Sequence, residues 1–263
     1  MRRVIITIVV AIAVGGCAGQ PGGPSPVRPS VSQSPTGAAG VGESAPPLDP
    51  DPLDPRLTFL RYGCDGHPFG LDLFAVPGRA ELEDHPSAEA LRTFLAGGEA
   101  ADLVPIGGWH LAGRDAESAS YVAQVAGDPP FASIGASLRD GTWTVEDYGQ
   151  CRPMVAMEGL NAATFRFVGD APGPDATRLE LDVTEIACAG GRPMGTRLRP
   201  ATVIETEGFV GLLFTAVTQA GGQDCQGNPA TRVTVELGAP VGERRVLDLA
   251  VFPFHDPATD WPS

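Results

Sequence analysis

The sequence predicts a predominantly β chain of the α+β class, with a small N-terminal α+β part followed by a C-terminal β-sandwich-like part. Three features carry that expectation. Apolar and polar residues alternate at the two-residue strand period through much of 153–263, as in Leu179, Leu181 and Val183 against Glu180, Asp182 and Thr184. One run, Phe209 to Val217, is apolar on both faces and fits a central strand covered from both sides. Helical periodicity is confined to a single stretch in the first part.

Within residues 56–152, Leu57 to Tyr62 reads as a short strand leading into Cys64. Asp84-His85-Pro86 opens a helix on which Leu91, Phe94 and Leu95 share an apolar face, and Gly97-Gly98 stops it. Strand-like runs follow at Gly108 to Ala112, Ala119 to Val125 and Phe131 to Leu138. Asp140-Gly141 separates the last of these from Thr142 to Val145, the pattern of a two-residue hairpin turn, and Trp143 is expected to pack on the sheet. In 153–263, Thr164 to Val168 alternates, as do Val233, Val235 and Leu237, and then Leu247, Leu249 and Val251. Short strands with Gly/Pro turns suggest a sandwich.

The first 55 residues read differently. Met1-Arg2-Arg3 is positively charged, Val4 to Val14 is apolar except for Thr7, and Val14-Gly15-Gly16-Cys17 places small residues before a cysteine. This has the charged, apolar and small-residue regions of a secretory signal. The apolar run is shorter than the roughly 20 residues of a spanning helix. It resembles the bacterial lipobox, which implies cleavage after residue 16 and a diacylglyceryl group on the Cys17 sulfur. The expected location is the outer face of the cell membrane, lipid-anchored. Residues 18–55 hold ten Pro, six Gly and five Ser, a composition that cannot bury enough surface to offset its ordering entropy, so 17–55 is read as a disordered tether.

Charge narrows the partners. Loss of Arg2 and Arg3 with the signal leaves 16 basic residues against 32 acidic ones, near −16, which argues against nucleic acid and against electrostatic attachment to anionic lipid. All 18 basic residues are arginine. A chain without lysine has no Schiff-base lysine, no Ser–Lys dyad and no P-loop lysine. No cofactor is expected.

Four cysteines follow Cys17, an even number that suggests two disulfides in an exported chain. Three pairings are open; Cys64–Cys151 with Cys188–Cys225 is preferred, since each then closes a loop inside one part. A zinc site would need the close Cys and His spacing that is absent here. The segments Tyr148-Gly149-Gln150-Cys151-Arg152-Pro153, Glu185 to Gly191, Cys225-Gln226-Gly227-Asn228-Pro229 and Leu237 to Asp248 together resemble a group of uncharacterised actinobacterial lipoproteins and membrane-tethered extracellular proteins. The resemblance covers roughly Gly108 to Pro253 and rests on cysteine surrounds and turns. It implies an envelope location and paired cysteines, and brings no site residues with it.

Catalytic motifs are sparse. G-x-S-x-G, H-E-x-x-H and G-x-G-x-x-G do not occur. His67, His85, His110 and His255 are dispersed; His110 reads as a packed or rim residue, and His255-Asp256 with Asp260 as a tail rather than a metal site. Glu185 is the weak catalytic candidate. It continues the phase of Leu179, Leu181 and Val183, so strict alternation turns it inward, where an unpaired carboxylate costs several kcal/mol. Three readings stand open: a bulge near Cys188 turns it outward, an arginine pairs with it, or it lines a ligand site. Glu158 and Glu205 are the partner carboxylates a glycosidase would need.

Two functional classes follow. The favoured one is a non-catalytic binding or structural module of the cell envelope, with an envelope protein or glycan as partner; the alternative is a carboxylate-dependent hydrolase of cell-wall glycans. The anchoring expectation has a direct check. Cys17→Ala is expected to move the full-length protein from the membrane pellet to the soluble fraction on fractionation, and its retention in the pellet overturns the anchor.

Overall fold

The computed structural model describes residues 54–258, apart from 65, 99 and 101. The signal, Cys17, the tether up to residue 53 and Asp260 lie outside the described residues. In chain order the elements are β1 (Tyr62–Gly63), the helix α1 (Pro86–Gly97), β2 (His110–Arg114), β3 (Ser118–Gln124), β4 (Phe131–Arg139), β5 (Thr142–Cys151), β6 (Met154–Val155), β7 (Leu160–Phe167), β8 (Arg178–Glu185), β9 (Thr202–Glu205), β10 (Phe209–Val217), β11 (Thr231–Glu236) and β12 (Arg245–Asp248). The described residues are thus predominantly β, with one α-helix among them. No helix among the described residues is long and apolar enough to cross a membrane.

The predicted strand over Leu57 to Tyr62 is replaced by a 3-10 turn. Asp54 accepts a hydrogen bond from the Arg56 amide and Pro55 occupies the first turn position, so the chain coils through Leu57. Leu57, Leu60 and Tyr62 are all buried, at spacings a strand does not make. Only Tyr62 and Gly63 extend, pairing with β6.

β2, β3, β4 and β5 form a four-stranded antiparallel sheet. Asp140 and Gly141 join β4 to β5 with φ of 50° and 78°, the left-handed backbone that lets a two-residue turn follow the strand twist. α1 lies on this sheet against β4 and β5. His85 caps it by accepting from the Ser87 amide, Pro86 fills the first turn, and Gly98 ends it at φ 73°. Leu91 from the helix packs with Trp109, Tyr121 and Ile134, while the small Ala119, Ala123, Ala132 and Ala136 let the helix approach. Trp143 adds to the edge of this core.

The second sheet has the order β11-β8-β7-β10-β12, with β9 also on β10. β10 organises it. Val210, Leu212, Phe214 and Ala216 face a core closed by Phe165, Leu179, Leu181, Val183 and Val235 as the sheet curls. Phe209 and Leu213 point the other way, into a core made with Leu57, Tyr62, Phe69, Val122, Phe131 and Phe252. That core draws on residues from both sides of position 153, and all described residues belong to one compact unit. Disulfides join Cys64 to Cys151 and Cys188 to Cys225, with Cα–Cα separations of 5.8 and 4.5 Å. One ties the start of the fold to the end of β5; the other ties the segment after β8 to the loop before β11.

One edge of β10 changes partner midway. β12 runs parallel to it over Phe209–Leu212, and β7 runs antiparallel over Phe214–Val217. The Leu212 carbonyl is taken by the Leu249 amide, so the Phe165 amide of β7 finds no β10 acceptor at the switch. Asp248 supplies one. Its side chain is fully buried and accepts from the amides of Phe165 at 3.3 Å and Ala250 at 2.9 Å. Burial pushes this carboxyl from 3.8 up to about 7, against the two amides that favour the charged form.

The sign follows from linkage. Because the folded state binds the Asp248 proton more tightly, this group makes stability fall as pH rises from about 4 to about 7, and the loss is complete above that window. The lowered His110 and His255 act oppositely below their ordinary value of 6.5, so the observable is a difference. The stability of wild type minus that of Asp248→Asn is expected to fall as pH rises from 4 to 7 in urea titrations; a difference that does not change with pH refutes the assignment.

Candidate functional site

The outward face of β7 and β8 carries polar side chains in cross-strand pairs. Thr164 lies opposite Thr184 and Arg166 opposite Asp182. Beyond them the chain between Cys225 and β11 comes back over the sheet. Asn228 pins it there, donating from Nδ2 to the carbonyls of Glu185 at 2.9 Å and Ala187 at 2.7 Å. The result is an open hollow of about 590 Å³, lined by Thr164, Arg166, Asp182, Thr184, Asn228, His255 and neighbouring residues.

Glu185 sits at the end of β8, keeps the strand's phase and is buried. No bulge turns it out. Arg197 grips both oxygens, Nη1 to Oε1 at 2.9 Å and Nη2 to Oε2 at 2.6 Å, and Asn161 donates to Oε1 at 2.8 Å. Burial alone raises this carboxyl's pKa; the Arg197 and Asn161 hydrogen bonds outweigh it, and the group is held below the ordinary carboxylate value. Arg197 also donates to the Val217 carbonyl and Thr218 to Asn161, so the pair binds β8, β7 and the end of β10 together. Glu185 also borders the hollow, but its charge is already committed.

The other candidate carboxylates are elsewhere. Glu205, on β9, accepts from the Gly238 amide at 2.6 Å and from Arg244 at 2.9 Å, and both contacts hold it below the ordinary value. β7 and β10 lie between β8 and β9, and Glu185 and Glu205 are each committed to a separate arginine, so they do not form a free carboxylate pair. Glu158 is exposed in the turn before β7. Asp182 and Glu185 are three residues apart on one strand and face opposite sides of it. Asp182 gives both oxygens to Arg232, at 2.8 and 3.3 Å.

The histidines divide. His110 is half-buried with its ring edge-on to Phe74 at 4.8 Å, and burial lowers its pKa. His85 serves the helix cap. His255 borders the hollow; burial lowers its pKa, and Arg152 and Arg166 push the same way against Asp256, so the imidazole is neutral at pH 7. One cluster escaped sequence reasoning. His67 Nε2 lies 3.0 Å from Ser118 Oγ and 3.5 Å from Asp115, residues about 50 positions away. Ser118 itself donates to Asp115 at 2.8 Å. A nucleophilic triad needs the carboxylate on the far ring nitrogen, and here both partners meet the same one. The cluster fastens the segment before Phe69 to β3. Among the described residues no group of three or more His, Cys, Asp or Glu is placed to hold a metal ion.

No protein-family model, no curated protein and no solved structure matches the chain.

The Glu185–Arg197 pair predicts an asymmetry. Arg197→Ala leaves a buried carboxylate unpaired and is expected to cost about 3 kcal/mol, the low end of the range for breaking a buried pair because Arg197 keeps part of its surface in water. Glu185→Gln retains acceptor and shape and is expected to cost less. Urea unfolding at pH 7 measures both; the reverse order refutes the structural role.

Proposed function

We propose that the protein is a lipid-anchored extracytoplasmic module of the cell envelope, held on the outer face of the membrane through Cys17, and that it acts by binding rather than by catalysis. Its binding site is the hollow on β7 and β8, and its partner is a polar envelope component. One observation carries this reading. The hollow's walls are fastened by a disulfide and by Asn228, while the acidic groups bordering it are neutralised by Arg197 and Arg232. Such a surface is preorganised to hold something and has no spare carboxylate pair to cleave a glycosidic bond. Two disulfides suit an oxidising compartment outside the cytoplasm.

In the same reading, β2–β5 with α1 and the Asp140-Gly141 hairpin is the small α+β part. The curled sheet of β7–β12 is the sandwich-like part, and it presents the site.

Thr184 offers the test, since a long side chain there fills the hollow from its floor. Thr184→Arg is expected to weaken capture of the purified full-length protein by isolated envelope at least about tenfold, close to 1.4 kcal/mol. Thr142→Arg, on the other sheet, is expected to leave capture unchanged. Undiminished capture by a folded Thr184→Arg protein overturns the reading.

A further inference from the structure

The hollow is lined by one cationic side chain, Arg166, and two anionic ones, Asp182 and Glu185. Asp182 is bound on both oxygens by Arg232, and Glu185 on both oxygens by Arg197. Arg166 lies opposite Asp182 on β7, exposed, bordering the hollow, and makes no hydrogen bond or ion pair among the described residues. A cationic fork is therefore presented in a chain whose formal charge is −14. A guanidinium so placed matches a planar carboxylate in two parallel hydrogen bonds.

Beside it, Thr164 and Thr184 lie opposite each other on β7 and β8 and line the hollow, two hydroxyls that donate or accept as a ligand requires. Asn228 holds the wall in place: its Nδ2 is spent on two backbone carbonyls, and its Oδ1 is closed off from solvent.

We propose that the hollow takes a carboxylate carried on a hydroxyl-rich body, a ligand of the sugar-acid class, with Arg166 on the carboxylate and Thr164 and Thr184 on the hydroxyls. This rests on the binding reading above and names its ligand chemistry. Neither half of such a ligand suffices: a neutral sugar leaves Arg166 unmet, and a bare carboxylate leaves the two threonines unmet.

The test is an NMR titration of the full-length protein in detergent at pH 7 and about 0.15 M salt, where charge steering alone is screened beyond about 8 Å. It reads the amides of Thr164 and Thr184 and the His255 ring. Glucuronate is expected to give saturable shifts at these groups, whereas glucose and acetate at equal concentration give at least about tenfold weaker binding. Arg166→Gln is expected to weaken glucuronate at least about tenfold, and Arg166→Lys, which keeps charge without the fork, to fall between. Arg166 is exposed, so an unchanged thermal midpoint checks that the variants remain folded. Equal response to glucose, equal response to acetate, or undiminished binding to Arg166→Gln each overturns the proposal. Silence toward glucuronate while Thr184→Arg still blocks envelope capture refutes the ligand class alone. Silence together with undiminished capture by Thr184→Arg refutes the site itself.

Discussion

The second sheet depends on how β10 shares one edge between two strands that run in opposite directions. Parallel and antiparallel ladders place their hydrogen bonds differently, so a strand that changes partner midway leaves an amide unmatched at the switch. Here that amide belongs to Phe165, and a side-chain carboxylate takes the place of the missing carbonyl. Asp248 performs this at the end of β12, where its own amide and carbonyl are held by His255. Both cores of the second half meet β10, so the fold tolerates the buried Asp248 carboxyl to keep that strand continuous. Tyr62 reinforces the arrangement by donating to the Leu249 carbonyl at 2.9 Å from the first segment of the fold.

The features legible in the sequence are those written in periodicity. β8 and β11 alternate as their residues predict, α1 lies between its Pro and Gly punctuation, and the doubly apolar run forms a strand covered on both sides. What escaped is tertiary. Leu247, Leu249 and Val251 suggest a strand with Asp248 and Ala250 outward, yet all residues from Val246 to Phe252 are buried, because β12 stops at Asp248 and the chain turns into the core. The inward phase of Glu185 could be read, but not its partner, since Arg197 reaches it across an irregular segment of 12 residues. His67 and Ser118 meet only through the fold. The hollow was equally hidden: its polar lining is spread over β7, β8, the chain before β11 and the C-terminal segment, each unremarkable alone.

The arginine-only composition has a structural counterpart. Glu185, Asp182 and Glu205 are held by Arg197, Arg232 and Arg244, and the first two pairs use both carboxylate oxygens. Fork-to-carboxylate geometry fixes orientation as well as charge, which a lysine ammonium does not. In the Glu185 pair this matters most, because the carboxylate is shielded from water while the guanidinium is not. The contact therefore sets the angle at which the end of β8 meets β10, and with it the position of the backbone that Asn228 grips.

The hollow and the fold thus share their fastenings. The Glu185 side chain is held by Arg197 on the inner side of β8, while the Glu185 backbone carbonyl receives Asn228 from the chain that walls the hollow. Cys188–Cys225 spans the same junction one residue beyond Ala187. A wall fixed by a covalent bond, two amide hydrogen bonds and a bidentate ion pair has little freedom to close around a ligand, so recognition there relies on groups already in place. That is why the uncommitted side chains matter more than the size of the opening. Arg166 is such a group, exposed at the edge of the hollow beside Thr164 and Thr184, and its guanidinium asks for an acceptor.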